Sequence, residues 1–300
     1  MPRQKEQITL QREDLLWAGL TFERLSVPEF ARQQGAVEDK VHNHQGVWWR
    51  QAKPLFCLPC FPYTPVDHRD SWPHPLRALV GFMHLSAPNS PSNGAYRAIV
   101  HQNPAQYSLH KLPIRRRYAV RKSLERLTVR PVEHLSDLLE GGYEVYVSFH
   151  RRTRWGRNKC DRRVFENWIS KAFGCPKRLV LGAYQGNKLV AFILPSVVEN
   201  TAMLGFIASH SDYLKCFPND ALFHALLSLA RQTPGVEAVC FGSASSKQSL
   251  DSFKLQYGAI KTFPSFTWLN PAFRPIYRRW FQHRYPWLSP GISAVPGFRA

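Results

Sequence analysis

The feature that most constrains this chain is the alternation of apolar segments between residues 178 and 269. Residues 178–184 and 188–198 are strand-like runs separated by Gln185-Gly186-Asn187, a turn sequence, which predicts a hairpin. Residues 201–209 read as a third strand. Asn219 can cap a helix with Asp220 in its first turn, and Leu222, Leu226, Leu229 and Ala230 then recur at helical spacing. Residues 236–241 form a short buried strand ending at Gly242. A second helix is expected over 246–257, closed by Gly258 at the position after its C-terminus, with Phe253 toward the core. A last strand runs over 263–269. The order is β-β-β-α-β-α-β, an α/β chain with an α+β mixed sheet flanked by helices.

Upstream the pattern is less regular. Residues 1–45 are polar with small apolar clusters such as Leu15-Leu16-Trp17, enough for one or two short helices. Residues 46–61 and 79–85 read as strand, and the Pro-, Asp- and His-rich stretch 62–75 and the segment 86–94 as loops. Pro113 opens a very basic helix over 113–127. There Ile114, Tyr118, Leu124 and Leu127 are expected to supply the apolar contacts, with Arg115, Arg116, Arg117, Arg121, Lys122 and Arg126 covering the rest. A second basic stretch, 150–163, interleaves Trp155 with Arg151, Arg152 and Arg154. Near the end, Tyr277-Arg278-Arg279-Trp280-Phe281 again mixes aromatic rings with cations, fit either for an anionic membrane surface or for packing on the body of the protein.

Charge narrows the partners. With 40 Lys and Arg against 21 Asp and Glu, the formal charge is +19. Such a surplus favours nucleic acid, an anionic membrane face or a phosphate-bearing small molecule. Six scattered cysteines read as reduced thiols of a cytoplasmic protein rather than a disulfide framework. Cys57-Leu58-Pro59-Cys60 has the spacing of half a zinc site or of a redox pair. It lacks a matching pair, although His42, His44, His68 and His74 lie nearby in sequence and leave a metal open. Its apolar flanks read as buried strand, the structural reading in which no metal is expected. The N-terminal residues carry no apolar core of a leader peptide, and no run reaches the ~18 apolar residues of a membrane span.

Three segments together carry a family resemblance. Pro218-Asn219-Asp220-Ala221-Leu222 opens a helix after a strand, Val239-Cys240-Phe241-Gly242 ends a strand, and Ser252-Phe253-Lys254-Leu255-Gln256-Tyr257-Gly258-Ala259 follows. In this order they resemble the GNAT acyltransferases, in particular the FemAB-like branch, in which two GNAT-like halves are fused. The basic helix resembles the one that follows the first half. The resemblance implies a shortened N-terminal half over 46–150, a C-terminal catalytic half over 151–270, a polar N-terminal segment 1–45 and a basic aromatic tail 271–300. It implies an N-acyltransferase that moves an acyl or aminoacyl group from acyl-CoA or aminoacyl-tRNA to an amine acceptor by direct attack. One departure stands out: residues 209–218, where a GNAT carries its glycine-rich phosphate turn, contain no glycine.

The candidate site residues follow. By its motif, Lys254 would donate to the developing oxyanion; a solvated helix lysine is the bland alternative. His210 or Asp212 would help remove the amine proton, or else form an ordinary polar loop. Asn219 and Asp220 would cradle a phosphate or merely start the helix, and Arg117, Arg121 and Lys122 would hold donor or acceptor phosphates. A non-catalytic GNAT-like module holding RNA or an anionic membrane is the competing reading, and a place at the inner membrane face fits either.

Overall fold

The computed structural model describes residues 17, 19–37, 40–153, 160–244, 248–273 and 275. The strands in chain order are β1 (Arg24–Leu25), β2 (Val41–His44), β3 (Val47–Lys53), β4 (Phe56–Pro59), β5 (Pro65–Val66), β6 (Gly81–Ser86), β7 (Gly94–Gln102), β8 (Thr128–Pro131), β9 (Leu181–Gln185), β10 (Lys188–Val198), β11 (Thr201–Ser209), β12 (Ala238–Ser243) and β13 (Ala259–Leu269). The longer helices are α1 (Val27–Val37), α2 (Ile114–Leu124), α3 (Tyr143–Thr153), α4 (Arg162–Phe173), α5 (Pro218–Gln232) and α6 (Gln248–Lys254). The mixed α/β class is as expected, and so is the order of elements after residue 178. No helix among the described residues is long and apolar enough to cross a membrane.

The chain divides into two compact units that interleave in sequence. One comprises Met1–Arg24 and His101–Cys240, the other Leu25–Val100 and Phe241–Ala300.

In the first unit the strand order is β12-β11-β10-β9-β8. β9 and β10 form the expected hairpin, with Gly186 at φ +58° supplying the left-handed turn position. β10 is buried along nearly its whole length, as a strand covered on both faces must be. Pro195, which has no N–H to give the ladder, falls in a register break between Leu194 and Ser196. Helix α5 explains its sequence directly: Leu222, Leu226 and Leu229 are completely buried and Ala230 nearly so, against β9, β10 and β11.

The second unit is built on the order β2-β3-β4-β6-β13-β7. Its core gathers Trp49, Cys57, Val66, Ala78 and Phe82, with Val47, Phe266 and Trp268 packed against it. Burial pushes the Cys57 thiol up to about 11 even though Arg77 pulls the other way, and its Sγ donates to the Arg77 carbonyl. β13 is longer than expected because its largely exposed first half, Ala259–Pro264, is held by backbone pairing with β7, while Phe266–Leu269 pair with β6.

Two expectations are corrected. The helix expected to be capped by Asn219 starts at Pro218, with Phe217 as the cap residue in the left-handed conformation and Asn219 inside the first turn. Proline, lacking an N–H, is preorganised for the first helical position and takes it. Helix α2 does not bury Ile114 and Tyr118, which are 76% and 61% exposed. It turns Ala119, Val120 and Ser123 inward and packs against α5, because small side chains let the two backbones approach.

Candidate active site at the end of β11

The local geometry begins with Gly205. Leu194 of β10 faces both Gly205 and Phe206, a β-bulge, and Gly205 takes φ +64°. A Cβ there would run into the Leu194 carbonyl oxygen, so only glycine fits. The bulge aims Phe206 at α3 and α4, where its ring meets Trp168 at 5.1 Å, Phe149 at 5.9 Å and Tyr146 at 6.0 Å. On its other edge β11 pairs with β12 only through Thr201, Ala202 and Met203.

The segment after β11 is pinned from two sides. The His210 N–H donates to the Val190 carbonyl at 2.9 Å. Helix α3 presents Ser148 and Arg152, one turn apart, toward the same segment. The Ser211 N–H donates to Ser148 Oγ at 2.9 Å, and the two serine hydroxyls meet at 3.0 Å. The Arg152 fork donates to the Ser209 carbonyl at 3.2 Å, to Ser209 Oγ at 3.3 Å and to Ser211 Oγ at 3.4 Å. Burial lowers the pKa of this guanidinium from its usual value.

His210 and Asp212 come together here. His210 caps the 3₁₀ turn Ser211–Cys216, its Nδ1 accepting from the Asp212 N–H at 3.3 Å. The Asp212 carboxylate lies 3.8 Å from the same nitrogen and its side chain is well exposed. A cleft of about 710 Å³ opens beside them, bordered by Ser148, Arg151, Arg152, His210, Ser211 and Asp212. It joins a titratable imidazole, a carboxylate able to orient it and two guanidinium groups, a set suited to moving a proton next to a bound anion.

The other candidates are placed as follows. Asp220 is buried and accepts from Arg116 Nη1 at 2.9 Å, bracing α5 against α2. Asn219 Oδ1 is buried and has no hydrogen-bond partner among the described residues. Arg117 and Arg121 are partly exposed on α2, and Lys122 pairs with Glu125 at 2.8 Å, which holds the Glu125 carboxyl below its usual pKa. Lys254, the last residue of α6, belongs to the second unit, half-buried, with Nζ 3.5 Å from where a Cβ on Gly242 would stand. Gly242 has φ +94°. Phe253 is half-buried, and the buried aromatic of that motif is Tyr257. Arg154, Trp155 and the tail motif at 277–281 lie outside the described residues. Among the described residues no three His, Cys, Asp or Glu side chains gather where they could hold a metal ion.

Ser148, Ser209, Ser211 and the clamping role of Arg152 are not apparent from the sequence. Their partners lie 57 to 63 residues away. The one available signal is the spacing of Ser148 and Arg152, which puts both on one face of a helix.

No family model and no curated protein matches the chain. Solved structures do resemble it. FemX is 12% identical with a TM-score of 0.57, over 90% of this chain and 98% of that one. The C-terminal domain of a putative lysylphosphatidylglycerol synthetase from Agrobacterium fabrum is also 12% identical with a TM-score of 0.57, over 96% and 98%. L-PGS from Bacillus licheniformis is 13% identical with a TM-score of 0.55, over 88% and 99%. The chain therefore has the FemAB-like, GNAT-type fold that its motifs imply.

Proposed function

We propose that this protein transfers an aminoacyl or acyl group from an activated donor to an amine by direct attack. Aminoacyl-tRNA is preferred over acyl-CoA as donor. The observation that carries the reading is the cleft at the end of β11, where His210 and Asp212 stand beside Arg152. An amine attacks a carbonyl only when neutral, and a proton must leave as the bond forms. In the described geometry Nδ1 accepts from the Asp212 N–H, so the neutral ring carries its proton on Nε2. Giving up that bond while the exposed Asp212 carboxylate rotates onto a protonated Nδ1 would leave Nε2 free to accept the amine proton. Arg152 and Arg151 would hold a donor or acceptor phosphate at the rim.

The donor preference rests on the start of α5. Phe217 and Pro218 head that helix, and the buried Asp220 carboxylate sits within its first turn. That carboxylate is already paired with Arg116, but Pro218 has no N–H to offer and no glycine lets the backbone of residues 209–218 wrap a phosphate, so this helix start is a poor cradle for a pyrophosphate. Among proteins of this fold, one is titled a putative lysylphosphatidylglycerol synthetase domain, a name in keeping with transfer of an aminoacyl group. A charged tRNA also meets the surplus of positive charge and would place the reaction in the cytoplasm. Lys254 keeps the role its motif implies, a donor to the developing oxyanion, and is tested on its own. The competing reading, a non-catalytic module holding RNA or an anionic membrane, draws on the exposed cations of α2.

The test is transfer from labelled aminoacyl-tRNAs and acyl-CoAs to a panel of amines, with Lys254→Ala in parallel. Product from charged tRNA, reduced in Lys254→Ala, is expected. Product from neither donor class would refute the enzyme reading and leave the binding module. Undiminished transfer by Lys254→Ala would refute the role that its motif implies.

A further inference from the structure

Helix α2 presents to solvent a face that neither solubility nor the transfer chemistry explains. Ile114, at 76% exposure, is the most exposed large hydrophobic side chain among the described residues, and Tyr118, one turn on, is 61% exposed. Helical spacing puts both on the side opposite Ala119, Val120 and Ser123, which are buried. The same side carries Arg117 and Arg121, flanked by Arg115 and Lys122. Among the described residues none of Arg115, Arg117 and Arg121 meets a carboxylate. The face continues onto the 3₁₀ turn Ser211–Cys216. Tyr118 meets Phe217 edge-on at 6.5 Å, Arg126 donates to the Lys215 carbonyl, and Leu214 is 38% exposed.

We propose that this face docks on the surface of an anionic phospholipid bilayer, with Ile114, Tyr118 and Leu214 entering the headgroup boundary and the surrounding cations meeting lipid phosphates. The choice of a bilayer over RNA rests on Ile114 and Leu214. A polynucleotide offers an aliphatic side chain little beyond sugar and phosphate, and neither residue has a ring on which a base could stack. At a bilayer surface each buries apolar area while neighbouring cations gain from the negative potential. The proposal names the phosphates that the α2 cations meet. It does not depend on catalysis, since it concerns only where the molecule sits. Because Leu214 shares its turn with Ser211 and Asp212, docking would bring the β11 cleft to the membrane surface, in reach of an amine borne on a lipid.

The test is flotation of the full chain with vesicles of phosphatidylcholine alone and of phosphatidylcholine mixed with phosphatidylglycerol. The wild type should float with the mixed vesicles and not with the neutral ones. The Ile114→Ser/Tyr118→Ser variant keeps every charge and changes two exposed positions, so it should fold normally, yet its partitioning should fall on the order of tenfold. Arg117→Gln/Arg121→Gln should weaken it as well. Failure of the wild type to float with mixed vesicles overturns the proposal, and so does equal flotation of the Ile114→Ser/Tyr118→Ser variant. Loss of tRNA binding, measured by gel shift, in that same variant would mean that the apolar pair serves RNA, and would also overturn it. Transfer to a water-soluble amine should be unchanged in the Ile114→Ser/Tyr118→Ser variant, so loss of docking and loss of catalysis are read separately.

Discussion

Arg116 and Asp220 form a largely buried ion pair at 2.9 Å that ties the basic helix α2 to the first turn of α5. The pair orients α2: with Arg116 drawn inward beside Ala119 and Val120, the faces bearing Ile114 and Tyr118 turn to solvent.

Removing one partner should therefore cost stability beyond what a surface pair would. Asp220→Ala leaves a partly buried guanidinium without this carboxylate and should destabilise the protein by about 3 kcal/mol. A surface pair such as Lys122–Glu125, broken by Glu125→Ala, should cost under about 1 kcal/mol. The midpoints of denaturant unfolding curves give the comparison.

The bulge in β11 makes a similar contrast between two glycines. Gly186, in the open hairpin turn, has nothing near its Cβ position, so Gly186→Ala pays only for the left-handed backbone, about 1 kcal/mol. At Gly205 the same conformation is combined with a collision against the Leu194 carbonyl, and Gly205→Ala should cost roughly 3 kcal/mol. Thermal unfolding of the two variants should separate them clearly, with Gly205→Ala also disturbing the packing of Phe206 against α3 and α4.

His42 gives the fold a pH dependence. Burial, then the neighbouring charge of Arg77, His74 and His44, pulls its pKa from the ordinary 6.5 down to about 4. Both ring nitrogens are buried with no hydrogen-bond partner among the described residues. The unfolded chain takes up a proton near 6.5 that the folded protein takes only near 4, so the folded state loses stability as pH falls through that window and is at full strength above it. Unfolding midpoints measured at a series of pH values should decline toward acid in the wild type and decline less in His42→Leu.

These predictions draw unevenly on what was legible in the chain. The spacing of Leu222, Leu226, Leu229 and Ala230 announced α5 because one stripe of a helix must be apolar when it lies on a sheet, and the Gln185-Gly186-Asn187 turn announced the hairpin. Helix α4 carries Phe165, Ile169 and Ala172 inward at equally regular spacing, but the arginines before them read as a charged surface. β7 was hidden because only Ala98, Ile99 and Val100 are buried in it, and pairing with β13 does the rest. On α2, the larger apolar residues pointed to the wrong face, since close helix packing and the Arg116–Asp220 pair outweighed the burial of Ile114 and Tyr118. Within the candidate site, His210 and Asp212 were visible as neighbours after a strand. The clamp of Ser148 and Arg152 on Ser209 and Ser211 was not, because nothing local records which helix will face that loop.

The most direct measurement of the central claim is the single-turnover rate of transfer from a saturating charged tRNA to an amine, compared between wild type and His210→Ala across a range of pH. If His210 takes the amine proton, the variant should be slower by roughly 10²- to 10³-fold at neutral pH, with unchanged tRNA affinity, and should recover part of the loss as rising pH supplies the neutral amine without help. An unchanged rate in His210→Ala would contradict the account.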